Sequence, residues 1–293
     1  MRYWLGALAL AACSKTAPVP NKGEPALVQV PPRDAAIVVD APPPPPEPGT
    51  YADLGEALAA IIPADARVIG FGELHSRVDR AQVTSSLATF TAALPGFGDK
   101  ISDLVVETWL VDPSCGKQAV QATAKIEQTV KRPESTKSEI AQLADTAKAA
   151  GIQAHAMKLS CDDYKTLSPA GKEPDPIAML TLTTRELTRI ATSAVLHRDK
   201  EPTHRPWIAV YGGALHNDRF PEPGVAEWSY AAAVDKVTKD HFVEIDVIVP
   251  ELAAADPTSQ KQPWFALVDK AAGRVQVWKR GDRSFVVVLP KAR

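Results

Sequence analysis

Apolar and polar positions along this chain fall into blocks of two kinds. Short apolar runs bounded by turn residues read as buried strands at 68–71, 103–107, 152–156, 207–211 and 242–249. Between them, apolar positions recur three or four apart and predict helices over 51–62, 77–94, 117–130, 138–150, 176–196 and about 225–238. Gly151 stands where a helix C-cap belongs. Strand and helix thus alternate, which predicts an α/β fold with a mainly parallel central sheet flanked by helices. The tail breaks the rhythm. Short strands are predicted at 263–268, 274–279 and 284–289, the last two flanking Arg280-Gly281-Asp282-Arg283, a hairpin signal. The sheet is therefore expected to finish with antiparallel strands or a hairpin at its C-terminal end. There is no internal repeat.

The first fifty residues differ in kind. Met1-Arg2, an apolar run from Tyr3 to Leu10 and small residues before Cys13 describe a secretory signal. About ten apolar residues cannot cross a bilayer that needs about 20. Leu10-Ala11-Ala12-Cys13 resembles a bacterial lipobox, which implies a lipidated Cys13 inserted in a bilayer. With Ser14 next, that resemblance implies the outer membrane as the location. Residues 13–50 hold much of the chain's proline, including Pro42 to Pro46, and few large apolar residues. Such a stretch buries too little surface to offset ordering entropy and reads as an extended, disordered tether. The layout is then a signal over 1–12, a tether over 13–50 and one α/β domain over 51–293, a length suited to a single large domain.

Charge and cysteine refine this picture. A net charge of −2 with no basic block excludes a nucleic-acid partner. Of three cysteines, Cys13 is assigned to lipid, leaving Cys115 and Cys161 in an oxidising compartment. Each follows a predicted strand by a few residues. If those strands are neighbours, both thiols lie at one sheet edge and form a disulfide.

In open parallel sheets, ligands bind outside the carboxyl ends of the strands. Those ends carry Glu73 and His75 in Gly72-Glu73-Leu74-His75, Glu107 in Val105-Val106-Glu107, and His216 after Gly212-Gly213. In extended chain, Glu73 and His75 project to one side. Each residue also has a plain structural reading: Glu73 as a helix cap, His75 as a core histidine, Glu107 as an arginine partner, His216 as a helix-start residue. Acid and imidazole groups at three successive strand ends are harder to explain singly. His155 is expected in the core or one layer behind a site. A Walker A sequence, a G-x-S-x-G elbow and an H-E-x-x-H helix are all absent from the sequence.

Gly72-Glu73-Leu74-His75, Glu107 in Val-Val-Glu-Thr-Trp, and Gly213-Ala-Leu-His216 together resemble the superfamily that joins erythromycin esterases, ChaN-like haem-binding lipoproteins and Tiki/TraB proteins. Arg185-Glu186 is similar to the family's Arg-Asp/Glu helix. The likeness runs over about residues 68–218, in the family's order, and the ChaN-like lipoprotein is nearest in layout. It departs at Ser76, where ChaN-like proteins often carry Asp, and no tyrosine is placed as a haem ligand. The resemblance implies a hydrolase or a binding lipoprotein acting on a small-molecule or peptide ligand. In the first case His75 or His216 is the general base, Glu73 or Glu107 orients it, and Arg185 offsets an oxyanion. Gly72, Gly213 and Glu186 would line the ligand. A divalent metal (Zn, Mn or Co) on Glu73, His75, Glu107 and His216 is the metal variant, and haem the non-catalytic alternative.

Overall fold

The structure is a computed structural model that describes residues 49–80, 82–169, 173–201 and 204–291. The signal and nearly all of the tether, Cys13 included, lie outside the described residues. The described residues open with β1 (Gly49–Tyr51), which pairs antiparallel with a strand near the C-terminus. Then follow α1 (Leu54–Ile61), β2 (Val68–Glu73), α2 (Ser86–Ala93), β3 (Ile101–Leu110), α3 (Gly116–Val130), α4 (Ser135–Ala149) and β4 (Gln153–Lys158). The second half comprises α5 (Cys161–Leu167), α6 (Pro176–Lys200), β5 (Trp207–Gly213), α7 (Ala231–Thr238), β6 (Phe242–Ile248), α8 (Pro250–Ala255), β7 (Val275–Gly281) and β8 (Ser284–Val288).

One eight-stranded sheet has the order β1-β7-β8-β6-β2-β5-β3-β4. Its central pairs are parallel, while β7 runs against both of its neighbours. This is the mixed α/β sheet, mostly parallel and antiparallel toward its C-terminal end, that the alternation of periods predicts. After β4 the chain returns to insert β5 between β2 and β3, then crosses to β6 on the far side of β2. The carboxyl ends of β2, β3 and β5 are thereby gathered at a reversal of strand order, where open α/β sheets bind ligands.

The strand interiors explain their own burial. Both faces of β5 and β6 are covered; β5 reads as a near-continuous apolar run, while β6 interrupts its own with Glu244 and Asp246. One face packs on α1, α2 and α4 through Leu58, Phe90, Leu143 and Ala147. The other packs on α6 and α7 through Leu187, Ala191, Val195 and Val234. Among the described residues no helix is long and apolar enough to cross a membrane.

Two expected elements take another form. The helix expected over 77–94 starts only at Ser86, after a single 3-10 turn at Val78–Arg80. The Ser85 hydroxyl accepts the Ala88 amide at 2.9 Å and fixes the start. Residues 263–267 form a 3-10 turn, not a strand. Pro263 brings no N–H to a ladder, and the buried Trp264 and Leu267, three apart, share one side of such a turn. Elsewhere the boundaries move by a few residues, and the hairpin expected around 280–283 joins β7 and β8.

Cys115 and Cys161 are bonded to each other, 46 residues apart in sequence. The bridge fastens the entry of α3 to the entry of α5, where Ala119, Ala122, Ile126, Tyr164 and Leu167 form a small core of their own.

Candidate active site at the strand ends

Register places the site. Glu73 lies opposite Gly213, and Val106 opposite Tyr211, so the next β3 residue, Glu107, emerges beside the ends of β2 and β5. The β3–β4 ladder slips between Val106 and Trp109. Glu107 falls within that irregularity, which frees it from the strand's alternation and aims it at the cleft.

Glu73, His75 and Glu107 meet there with two residues the sequence reading did not include, Tyr211 and Arg132. All five line a cavity of about 10 Å³, room for about one water. Glu73 Oε1 lies 2.8 Å from His75 Nδ1, and the Tyr211 hydroxyl donates to Glu73 Oε2 at 2.6 Å. A carboxylate can only accept, so Nδ1 carries the imidazole proton and Nε2 is left as the basic nitrogen. Arg132 Nη2 sits 2.8 Å from that Nε2 and donates to Glu107 Oε1 at 3.1 Å. The Gly213 N–H donates to Glu107 Oε2 at 2.6 Å.

Electrostatics follow from this packing. Burial and the Arg132 charge push His75 down, but the Glu107 and Glu73 carboxylates outweigh them and hold it above its ordinary value. Burial alone would raise Glu107; its contacts with His75, helped by His216 and Arg132, instead hold it well below the carboxylate range. Tyr211 is pushed well above the usual phenol value by burial and the Glu73 charge, so it remains a proton donor to Glu73. The His75 side chain keeps 34% of its surface open, enough for a small molecule to reach the ring.

His216 stands one layer behind. It is buried, and its Nδ1 lies 2.9 Å from the Trp228 carbonyl and 2.9 Å from the Thr184 hydroxyl. A carbonyl only accepts, so Nδ1 bears the proton and Nε2 the lone pair. Burial lowers its pKa despite the upward pull of Glu107. The two glycines are sites of close approach. A Cβ on Gly213 would lie 2.8 Å from His75 Nε2, and one on Gly72 would collide with Asp246 and Asn217.

Arg185 and Glu186 are not part of this arrangement. Arg185 gives two hydrogen bonds to Asp163, at 2.9 and 2.8 Å, and one to Glu186. Glu186 is buried between Arg185 and Arg189, and Arg185 ties α6 to the start of α5 through Asp163. The guanidinium that does reach the cluster is that of Arg132, in the turn between α3 and α4. Its only sequence signal was a basic pair before Pro133. Tyr211 carried a fainter one, a tyrosine on the last apolar stretch before Gly212-Gly213.

The proposed cofactors do not fit this donor set as it stands. Among the described residues no group of three or more His, Cys, Asp and Glu is placed to hold a metal ion. The guanidinium of Arg132 fills the gap between His75 and Glu107 that a cation would need. A cavity sized for one water has no room for a haem macrocycle.

Beneath the site, β6 contributes two buried acids, Glu244 and Asp246, near buried Asp218. Arg280 Nη1 lies 2.6 Å from Asp218 and 3.0 Å from Glu244. Burial raises Glu244 to about 7 and Asp246 well above its ordinary value, since one guanidinium cannot balance three carboxylates.

No family model matches this chain, and no curated protein matches it. A solved structure of the type III effector HopBA1 is similar at 13% identity with a TM-score of 0.40, over 81% of this chain and 93% of that one. An overlap that loose carries no argument about fold or function. What is shown is an α/β protein with an acid–imidazole–guanidinium cluster at its strand ends.

Proposed function

We propose that this protein is a hydrolase that activates water against an ester or amide at the ends of β2, β3 and β5. The observation that carries the reading is the oriented chain Tyr211–Glu73–His75, which leaves His75 Nε2 as the basic atom facing a water-sized cavity. His75 takes a proton from water as general base. Glu73 holds its tautomer and offsets the charge that develops on the ring. Arg132, whose Nη2 caps that nitrogen in the free protein, turns off it when substrate enters, freeing Nε2 for water and donating to the oxyanion that forms. Glu107 anchors Arg132 and is fixed by the Gly213 N–H. His216, buried and held by Trp228 and Thr184, does not transfer the proton.

The cluster leaves open whether an acyl group is oxygen- or nitrogen-linked, so the test uses both. The purified protein is presented with a panel of simple esters and amides, beside Glu73→Gln. The variant keeps the side chain's shape but loses the carboxylate, and its rate is expected to fall at least about 100-fold. A protein inactive on the whole panel, or a folded Glu73→Gln as fast as wild type, would overturn the reading. The lipobox-like N-terminus suggests where the reaction occurs: at the outer membrane, on a tether anchored by acylated Cys13. Recovery in the membrane fraction that disappears with Cys13→Ala supports this placement, and recovery independent of Cys13 contradicts it.

A further inference from the structure

A second cleft lies away from the strand ends, between edge strand β4 and helix α6. It encloses about 470 Å³, within the range of small-molecule sites, and is lined by Asp103, Gln153, His155, Arg189 and Ser193 among others. Ala156, Ile190 and Ala194 give it an apolar floor.

The polar groups around this floor are unbalanced. The two carboxylates beside this floor are committed. Asp103 Oδ1 takes His155 Nε2 at 2.8 Å, and its Oδ2 takes the Ser102 hydroxyl at 2.6 Å. Glu186, just along α6, takes Arg185 on one oxygen and Arg189 on the other. The donors are left over. Arg189 uses Nε and Nη2 on Glu186, at 3.0 and 2.9 Å, and its Nη1 has no partner among the described residues. The Gln153 amide and the Ser193 hydroxyl also have none there. Thr184, Thr188 and Thr192 turn their hydroxyls back onto carbonyls of α6, whereas Ser193 does not.

From the uncommitted guanidinium nitrogen of Arg189 and the Ser193 hydroxyl beside an apolar floor we infer that this cleft binds a small organic anion. Its carboxylate or phosphate head meets Arg189 and Ser193, and its apolar body lies on Ala156, Ile190 and Ala194. The site is separate from the strand-end cluster and does not depend on the hydrolase reading.

Calorimetric titration of the purified protein with hexanoate, hexyl phosphate and inorganic phosphate tests it. Saturable binding of at least one hexyl ligand, tighter than inorganic phosphate, is expected, and the tighter of the two identifies the head group. Arg189→Ala should weaken it about tenfold or more, as loss of a charge-assisted hydrogen bond does. Ser193→Asp, an exposed helix position where folding is not at stake, should abolish it by charge repulsion. Arg132→Ala should leave it intact. No saturable binding, binding no tighter than inorganic phosphate, or binding lost in Arg132→Ala but kept in Arg189→Ala would overturn the proposal.

Discussion

At the residue scale, His75 is held between opposed pulls. Two carboxylates draw a proton onto the ring, while Arg132 touches the same nitrogen and works against it. Withdrawing the guanidinium should therefore raise the His75 pKa further. In Arg132→Ala the imidazole resonances, followed by NMR against pH, should titrate higher than in wild type; an unchanged or lower midpoint would contradict the assignment. The same pair fixes a pH window for stability. His75, raised above its unfolded 6.5, contributes stability that is complete below that value and lost as pH rises through its folded pKa. Glu107, lowered below 4.5, contributes stability present above that value and lost as pH falls through its folded pKa. Both contributions are therefore complete between pH 4.5 and 6.5. Glu73, His75 and Glu107 were legible in the sequence because strand ends can be located from apolar runs. Arg132 was not. It arrives from a turn between two helices, and no local pattern tells which way such a turn folds over a sheet.

At the element scale, the α3–α4 unit forms the wall of the site, since Arg132 hangs from the turn between these helices. Its position depends on the small core that α3 shares with α5 and on the Cys115–Cys161 bridge across them. Closing that loop of 46 residues is worth about 4 kcal/mol in the chain-entropy model. The double variant Cys115→Ser/Cys161→Ser should lose stability of that order in denaturant unfolding, and wild type should match it once reduced; unchanged stability would show that the bridge does not hold this unit. Neighbouring strands β3 and β4 made the pairing readable in advance, whereas the late start of α2 was not. A helical period continues through residues 77–85, but the Ser85 cap decides where the helix begins. The 3-10 turn at 263–267 was misread for a similar reason, because a short apolar run has no period of its own to distinguish strand from turn.

At the scale of the whole molecule, two features shape the domain: a sheet whose order reverses around β2, and an acid cluster buried beneath it. The first was legible in outline from alternating periods, but the order of strands was not, because pairing across the sheet joins segments far apart in sequence. The second escaped the sequence entirely, since Asp218, Glu244 and Asp246 look like ordinary polar residues until the fold buries them. Its effect is measurable. Glu244 binds its proton more tightly folded, at about 7, than unfolded, at 4.5, so stability falls as pH rises between those values. At about 1.4 kcal/mol per pKa unit, the loss is on the order of 3 kcal/mol. Glu244→Gln, which cannot ionise, should flatten this decline in thermal or denaturant unfolding from pH 4.5 to 7. A decline as steep in the variant as in wild type would place its cause elsewhere.

The claim at the centre is that His75, turned by Glu73 and Tyr211, is the base that activates water. Ester hydrolysis by His75→Ala, measured with and without added imidazole, tests it most directly. The rate should fall about 10²–10⁴-fold, the usual contribution of a general base, and imidazole filling the vacated space should restore part of it. A folded His75→Ala that hydrolyses the same ester at the wild-type rate would contradict the account.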